Sequence, residues 1–208
     1  MILLNPLERR VFFITHPNVA IDRDVPVPQW PLSELGLQRM RGGLAQPWVR
    51  QISAVYSSDE RKARDGAAIL ADHLGLGVSC LPGLRENDRS STGFLPPEEF
   101  EGVADQFFAH PEQSIRGWET ARDAQARVLR AVAEVLEDRT HGSIAIVSHG
   151  AVGTLLFCHL AGKPISRRHD QPANGGGNYF SFPLLTKVPD HGWRSFDAPA
   201  DQDTKGLG

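Results

Sequence analysis

Two histidines in this 208-residue chain follow directly on apolar runs. His16 comes after Val11-Phe12-Phe13-Ile14-Thr15, and His149 after Ser143-Ile144-Ala145-Ile146-Val147-Ser148. Imidazole is neutral, nucleophilic and able to take or give a proton near physiological pH. A lone histidine is most often a surface or satisfied core residue; two at matching strand ends carry more weight. Gly150 follows His149 and leads into a helical stretch, so the backbone there can approach a ligand while the first N–H groups of the helix face an anion. These residue types predict a phosphate or carboxylate pocket floored by two imidazoles. A third junction, Ser57-Ser58-Asp59-Glu60-Arg61-Lys62, brings two cations, Arg61 and Lys62, to the same side, although read alone they suit a solvated helix face. Glu86, in Leu84-Arg85-Glu86-Asn87-Asp88, is one of several loop carboxylates and has no claim by itself.

The elements that must position these residues can be read from apolar periodicity. Residues 11–14, 52–56, 78–81, 143–148 and 178–182 read as strands. Ser33 caps a helix carrying Leu37, Met40 and Leu44 at helical spacing. Ser57-Ser58-Asp59 opens a second helix, with Ala63, Ala67, Leu70 and Leu74 on one face and Gly75 or Gly77 at its end. Helical patterns follow at 98–109, 117–138 and 151–160. The prolines at 17, 26, 28 and 31 make residues 17–31 a long ordered loop, residues 82–97 form a surface loop, and Gly175-Gly176-Gly177 reads as a hinge before the last strand. Alternating strands and helices with continuous apolar strands predict a three-layer α/β/α fold around a mostly parallel sheet. Ligands in such sheets bind beyond the carboxyl ends of the strands, where His16 and His149 lie. A single domain over residues 1–196 is expected, with a polar tail at 197–208 that frays.

Composition narrows the function classes. Lys and Arg total 22 against 25 Asp and Glu, a net charge of −3, which argues against nucleic-acid binding. Cys80 and Cys158 are too few for a disulfide framework and lack zinc-ligand spacing. No apolar run is long enough to span a bilayer, and the first residues lack the basic segment of a secretory signal, so the cytoplasm is the expected location and no membrane partner is foreseen. The expected partner is a small anion. No cofactor is expected and no metal, because two separated histidines without a firm carboxylate or thiolate set do not fill a coordination sphere. The sequence leaves the oligomeric state open.

The ordered set of motifs resembles the histidine phosphatase superfamily, also called phosphoglycerate mutase-like. The chain reads Thr15-His16-Pro17, then Pro31-Leu32-Ser33-Glu34-Leu35-Gly36, then Ser57-Ser58-Asp59-Glu60-Arg61-Lys62-Ala63. Leu84-Arg85-Glu86, Gly117-Trp118-Glu119-Thr120 and Val147-Ser148-His149-Gly150 follow, in the family's order over residues 11–182. The resemblance implies a metal-independent phosphomonoester hydrolase. His16 would attack phosphorus and carry the phosphoryl group, His149 would stabilise the transition-state charge, and Glu86 would act as general acid and base. Thr15, Ser58, Arg61, Lys62, Arg89 and Gly150 would contact the substrate.

Three substitutions in two motifs set this chain apart from the pattern. Thr15-His16-Pro17 stands where the family has Arg-His-Gly, and Lys62 stands at the second arginine, which keeps the charge and loses the two-pronged grip on phosphate. Arg61 and Arg89 are candidates to replace the lost guanidinium. A phosphatase is therefore weighed against an anion-binding protein of the same fold that turns nothing over. The segment Arg167-Arg168-His169-Asp170 could rim the pocket or form a solvated turn.

Overall fold

The computed structural model describes residues 9–138 and 140–199. Strands β1 (Arg10–Thr15), β2 (Ile52–Ser57), β3 (Val78–Cys80), β4 (Ser143–Ser148), β5 (Asn178–Pro183) and β6 (Arg194–Ser195) form one sheet in the order β3-β2-β4-β1-β5-β6. The first four run parallel; β5 and β6 join β1's side of the sheet antiparallel. Helices α1 (Glu34–Gly43), α2 (Arg61–Leu74), α3 (Pro97–Ala109), α4 (Ala121–Leu136) and α5 (Gly150–Leu160) cover the two faces. Alternation along the central strands builds both cores. Val11, Phe13, Ile144 and Ile146 pack with residues of α3, α4 and α5, whereas Phe12, Ile14, Ala145 and Val147 pack with residues of α1 and α2. The result is the expected three-layer α/β/α arrangement. Among the described residues no helix is long and apolar enough to cross a membrane.

Element boundaries shift where side chains intervene. α2 begins at Arg61 because the preceding residues make a turn in which Ser58 Oγ accepts the Glu60 N–H at 3.1 Å. α4 begins at Ala121 rather than 117: Arg116 and Gly117 reverse the chain at positive φ, and Thr120 caps the helix by accepting the Asp123 N–H at 3.0 Å. The two-residue β6 is too short to leave a pattern in the sequence. Asp197 and Ala198, the start of the stretch expected to fray, are fastened: Asp197 pairs with Arg39 at 2.9 Å, and the Ala198 carbonyl accepts from Gln46 Nε2 at 2.8 Å. The rest of that tail, residues 200–208, lies outside the described residues.

The proline-rich loop after β1 closes on itself. The Asn18 carbonyl accepts from the Ser33 N–H at 3.0 Å and from Ser33 Oγ at 3.2 Å, while Ser33 Oγ caps α1 through the Gly36 N–H at 3.1 Å. A Cβ on Gly36 would lie 2.1 Å from that same carbonyl, so the glycine permits the contact. Trp30 fills the loop from within, its indole N–H shared between the Asp22 and Val25 carbonyls at 2.7 and 2.9 Å.

Gly175, Gly176 and Gly177, expected as a hinge, instead form a fastening at positive φ of 82°, 80° and 70°. The Gly177 N–H donates to the His16 carbonyl at 3.2 Å, and a Cβ on Gly176 would lie 2.2 Å from that oxygen. Left-handed backbone costs an L-residue about 1–2 kcal/mol before any collision. Gly176→Ala should therefore destabilise by more than Gly75→Ala, where φ is +67° in open space. Chemical denaturation of the two variants checks this, with about 1 kcal/mol expected at Gly75 and at least about 2 kcal/mol at Gly176.

Candidate active site

Pairing of β1 with β4 aligns Thr15 with Ser148, so the next residue on each strand is a histidine. The His16 N–H donates to the Ser148 carbonyl at 2.9 Å, and the two imidazole centroids lie 5.1 Å apart with the rings edge-on at 73°. His149 is fully buried; its Nε2 lies 2.8 Å from Ser58 Oγ, at the end of β2, and its Nδ1 meets no hydrogen-bond partner among the described residues. His16 Nδ1 lies 2.9 Å from the Pro17 carbonyl. A carbonyl can only accept, so Nδ1 carries the proton and Nε2 keeps its lone pair. Burial lowers the His16 pKa to about 4, assisted by the charges of Lys62 and Arg89 and opposed by the Pro17 hydrogen bond and Glu60. His149 is pushed well below the ordinary histidine value, chiefly by burial and then by His16 and the nearby cations. Both rings are neutral at physiological pH.

The N-terminus of α5 is already occupied. Glu86 accepts the Val152 N–H at 3.1 Å through Oε1 and the Ala151 N–H at 3.3 Å through Oε2. The N–H groups expected to face an external anion are thus held by an internal carboxyl, which places Glu86 beside His149. Burial raises the Glu86 pKa; Arg89 and the two N–H groups oppose the shift, and Glu60 adds to it. Gly150 makes room for a different neighbour than expected, since a Cβ there would lie 2.4 Å from Gln171 Nε2. Gln171 in turn engages Thr15, whose hydroxyl donates to Gln171 Oε1 at 2.7 Å and accepts the Asn178 N–H at 3.0 Å. At the position of the lost arginine, Thr15 is therefore a fully buried member of a structural network.

The cations divide into committed and uncommitted. Lys62 is buried with Glu60, their side chains 4% and 7% exposed, at Nζ–Oε2 2.5 Å; Nζ also donates to the Val27 carbonyl at 3.0 Å. Arg61 is exposed and lines a cleft of about 660 Å³ with residues of the loop between Ala20 and Pro31. Arg89 makes no ion pair among the described residues; its guanidinium lies over Phe100 and Trp118 at 5.0 and 5.7 Å, and its charge reaches His16, His149 and Glu86. Arg167 is engaged with Glu101 and Asp105 on α3, bracing that helix. Glu60 was not singled out by its sequence position. Its Oε1 accepts the Glu86 N–H at 3.0 Å and lies 3.6 Å from His149 Nε2, contacts with distant residues that nothing local announces. Among the described residues no cluster of three or more His, Cys, Asp or Glu is arranged to hold a metal ion.

No curated protein matches the chain in sequence. Among solved structures, a mycobacterial glucosyl-3-phosphoglycerate phosphatase in complex with inorganic phosphate is similar with a TM-score of 0.70 and 23% identity, over 92% of this chain and 100% of that one. YhfR of Bacillus stearothermophilus superposes with a TM-score of 0.66 and 22% identity, over 83% and 90%. A putative alpha-ribazole-5'-P phosphatase from Escherichia coli gives 0.66 at 18% identity, over 90% and 95%. These likenesses establish the fold. The sequence model of the histidine phosphatase superfamily (branch 1) matches residues 21–179, a span that holds the Ser57-Ser58, Glu86 and His149-Gly150 segments and begins after His16. Three quarters of the sequence thus conform to one pattern, and the chain belongs to the histidine phosphatase superfamily.

Proposed function

We propose that this protein is a metal-independent phosphatase that hydrolyses a small phosphomonoester through a phosphohistidine on His16. The observation that carries the reading is the pair of neutral imidazoles 5.1 Å apart at the ends of adjacent parallel strands. His16 Nε2, freed by the Nδ1–Pro17 hydrogen bond, attacks phosphorus as the ester P–O bond breaks. Glu86, whose carboxyl burial pushes toward the protonated form, gives its proton to the departing oxygen. Water then attacks phosphorus, the P–N bond breaks, and Glu86 takes the proton of that water. His149, with its buried and unpartnered Nδ1, and Arg89 meet the phosphoryl oxygens as charge accumulates. Ser58 orients His149, and Arg61 lines the cleft along the loop between Ala20 and Pro31, which would take the rest of a substrate.

The commitment of Lys62 to Glu60 and of Thr15 to Gln171 favours a second reading, a family member that binds an anion and does not turn it over. An aryl phosphate assay in EDTA separates the two. Turnover in the chelator that falls by about 10³-fold or more in His16→Ala supports the phosphatase. Absent turnover across many phosphomonoesters, with retained phosphate binding, supports the anion-binding protein.

Two further outcomes follow from the proton positions. Glu86→Gln should slow an alkyl phosphate by about 10²-fold and an activated aryl phosphate far less, because only the poor leaving group needs the proton; equal losses on both would remove Glu86 from the acid role. Neutral His16 is the reactive form, and its pKa in the folded protein is about 4. The acid limb of kcat/KM, corrected for substrate ionisation, should therefore lie near pH 4 rather than near 6.5. A pH–rate profile of the free enzyme checks it.

A further inference from the structure

The Glu60 carboxylate has the surroundings of a bound anion. It is buried, one oxygen meets Lys62 Nζ at 2.5 Å, and the other accepts the Glu86 N–H at 3.0 Å and lies 3.6 Å from His149 Nε2. An ammonium and a backbone N–H are donor types that surround a phosphoryl group in an enzyme site. Lys62 is the cation at the family's second arginine position, so Glu60 neutralises the charge that the pocket otherwise directs at phosphate. With Thr15 uncharged at the first position, Arg89 is the cation near the two rings that has no ion-pair partner among the described residues. Glu86 adds a second carboxyl on the floor of the pocket, and the Arg85–Asp59 pair beside it is internally balanced.

We propose that Glu60 is a specificity-determining residue that makes this pocket select a phosphoryl group bearing one negative charge over one bearing two. The proposal rests on reading the paired-histidine pocket as a phosphoryl site. A second negative charge on the ligand meets the Glu60 carboxylate with no second unpaired cation acting on the two histidines among the described residues, whereas a single charge is matched by Arg89. The selected form is the one a phosphomonoester takes below its second ionisation near pH 6, and the one a phosphodiester keeps throughout the range from about pH 5 to pH 8.

Isothermal titration with methyl phosphate and dimethyl phosphate at pH 5 and pH 8 tests this. His16, His149, Glu60, Glu86, Lys62, Arg89 and Arg127 interact electrostatically around the two rings, so dimethyl phosphate, whose charge is constant, reports any change that comes from the protein. For the native chain, methyl phosphate should bind about tenfold more weakly at pH 8 than at pH 5, relative to the change for dimethyl phosphate. Dimethyl phosphate that binds alongside monoanionic methyl phosphate points to diesters and monoesters alike; binding of methyl phosphate at pH 5 alone restricts the selected ligand to monoesters, and both support the proposal. Glu60→Gln should strengthen binding of the methyl phosphate dianion at pH 8 by about tenfold, and Glu60→Gln/Lys62→Gln should return it to the native value, because the gain comes from the released lysine. Dianion binding at pH 8 as tight as monoanion binding at pH 5 in the native chain, an unchanged dianion affinity in a folded Glu60→Gln, or no binding of either probe would overturn the proposal. If Glu60→Gln fails to fold, the native titrations alone decide. Turnover that survives His16→Ala would end the phosphohistidine reading and leave this one intact, since ligand preference needs no nucleophile.

Discussion

The parallel pairing of β1 with β4 in one register is the constraint on which the site depends. It aligns Thr15 with Ser148, so two histidines separated by 133 positions become neighbours across a single strand spacing. Both strands are apolar on both faces, and an apolar pattern alone fixes register weakly under those conditions. Polar contacts at the carboxyl end supply what the pattern lacks. The His16 N–H meets the Ser148 carbonyl, the His16 carbonyl meets the Gly177 N–H, and Thr15 holds Asn178 on β5. The residues that fix the strand ends are therefore the same ones that surround the candidate site.

Electrostatics then distinguishes this pocket from the pattern it resembles. Two arginines would give a phosphoryl group two planar cations. Here a threonine serves the internal network and a lysine is balanced by Glu60. A buried ion pair recovers its desolvation only when its remaining hydrogen bonds are also met. Lys62 and Glu60 meet that condition through the Val27 carbonyl and the Glu86 N–H. The pair consequently ties the proline-rich loop, the start of α2 and the Glu86 loop into one unit.

Much of this was legible from the chain because the informative residues adjoin the elements that place them. His16 and His149 follow strands by covalent adjacency, and the apolar runs on either side fixed the layers and the order of the elements. Ser33 and the Pro31-to-Gly36 segment announced the start of α1 in the same local way. The allocation of polar groups was not legible. That Glu86 rather than a ligand would take the first N–H groups of α5, and that Gln171 would fill the space beside Gly150, are outcomes of approach across 65 and 21 positions. Glu60 belongs with them. Its neighbour Lys62 is two residues away, but its other contacts come from the Glu86 loop and from the end of β4.

The grip of α5 on Glu86 has a mechanical corollary. A carboxyl held through both oxygens by main-chain donors is not free to swing toward whatever enters, so under the proposed mechanism an incoming molecule would have to bring its bridging atom to a stationary proton reservoir. The positive end of the helix also favours the ionised form that would remain after delivery, which would ease departure of the proton and keep the resulting anion in position to reclaim one. Turnover would then be governed by how well the incoming molecule docks rather than by any rearrangement of the acid.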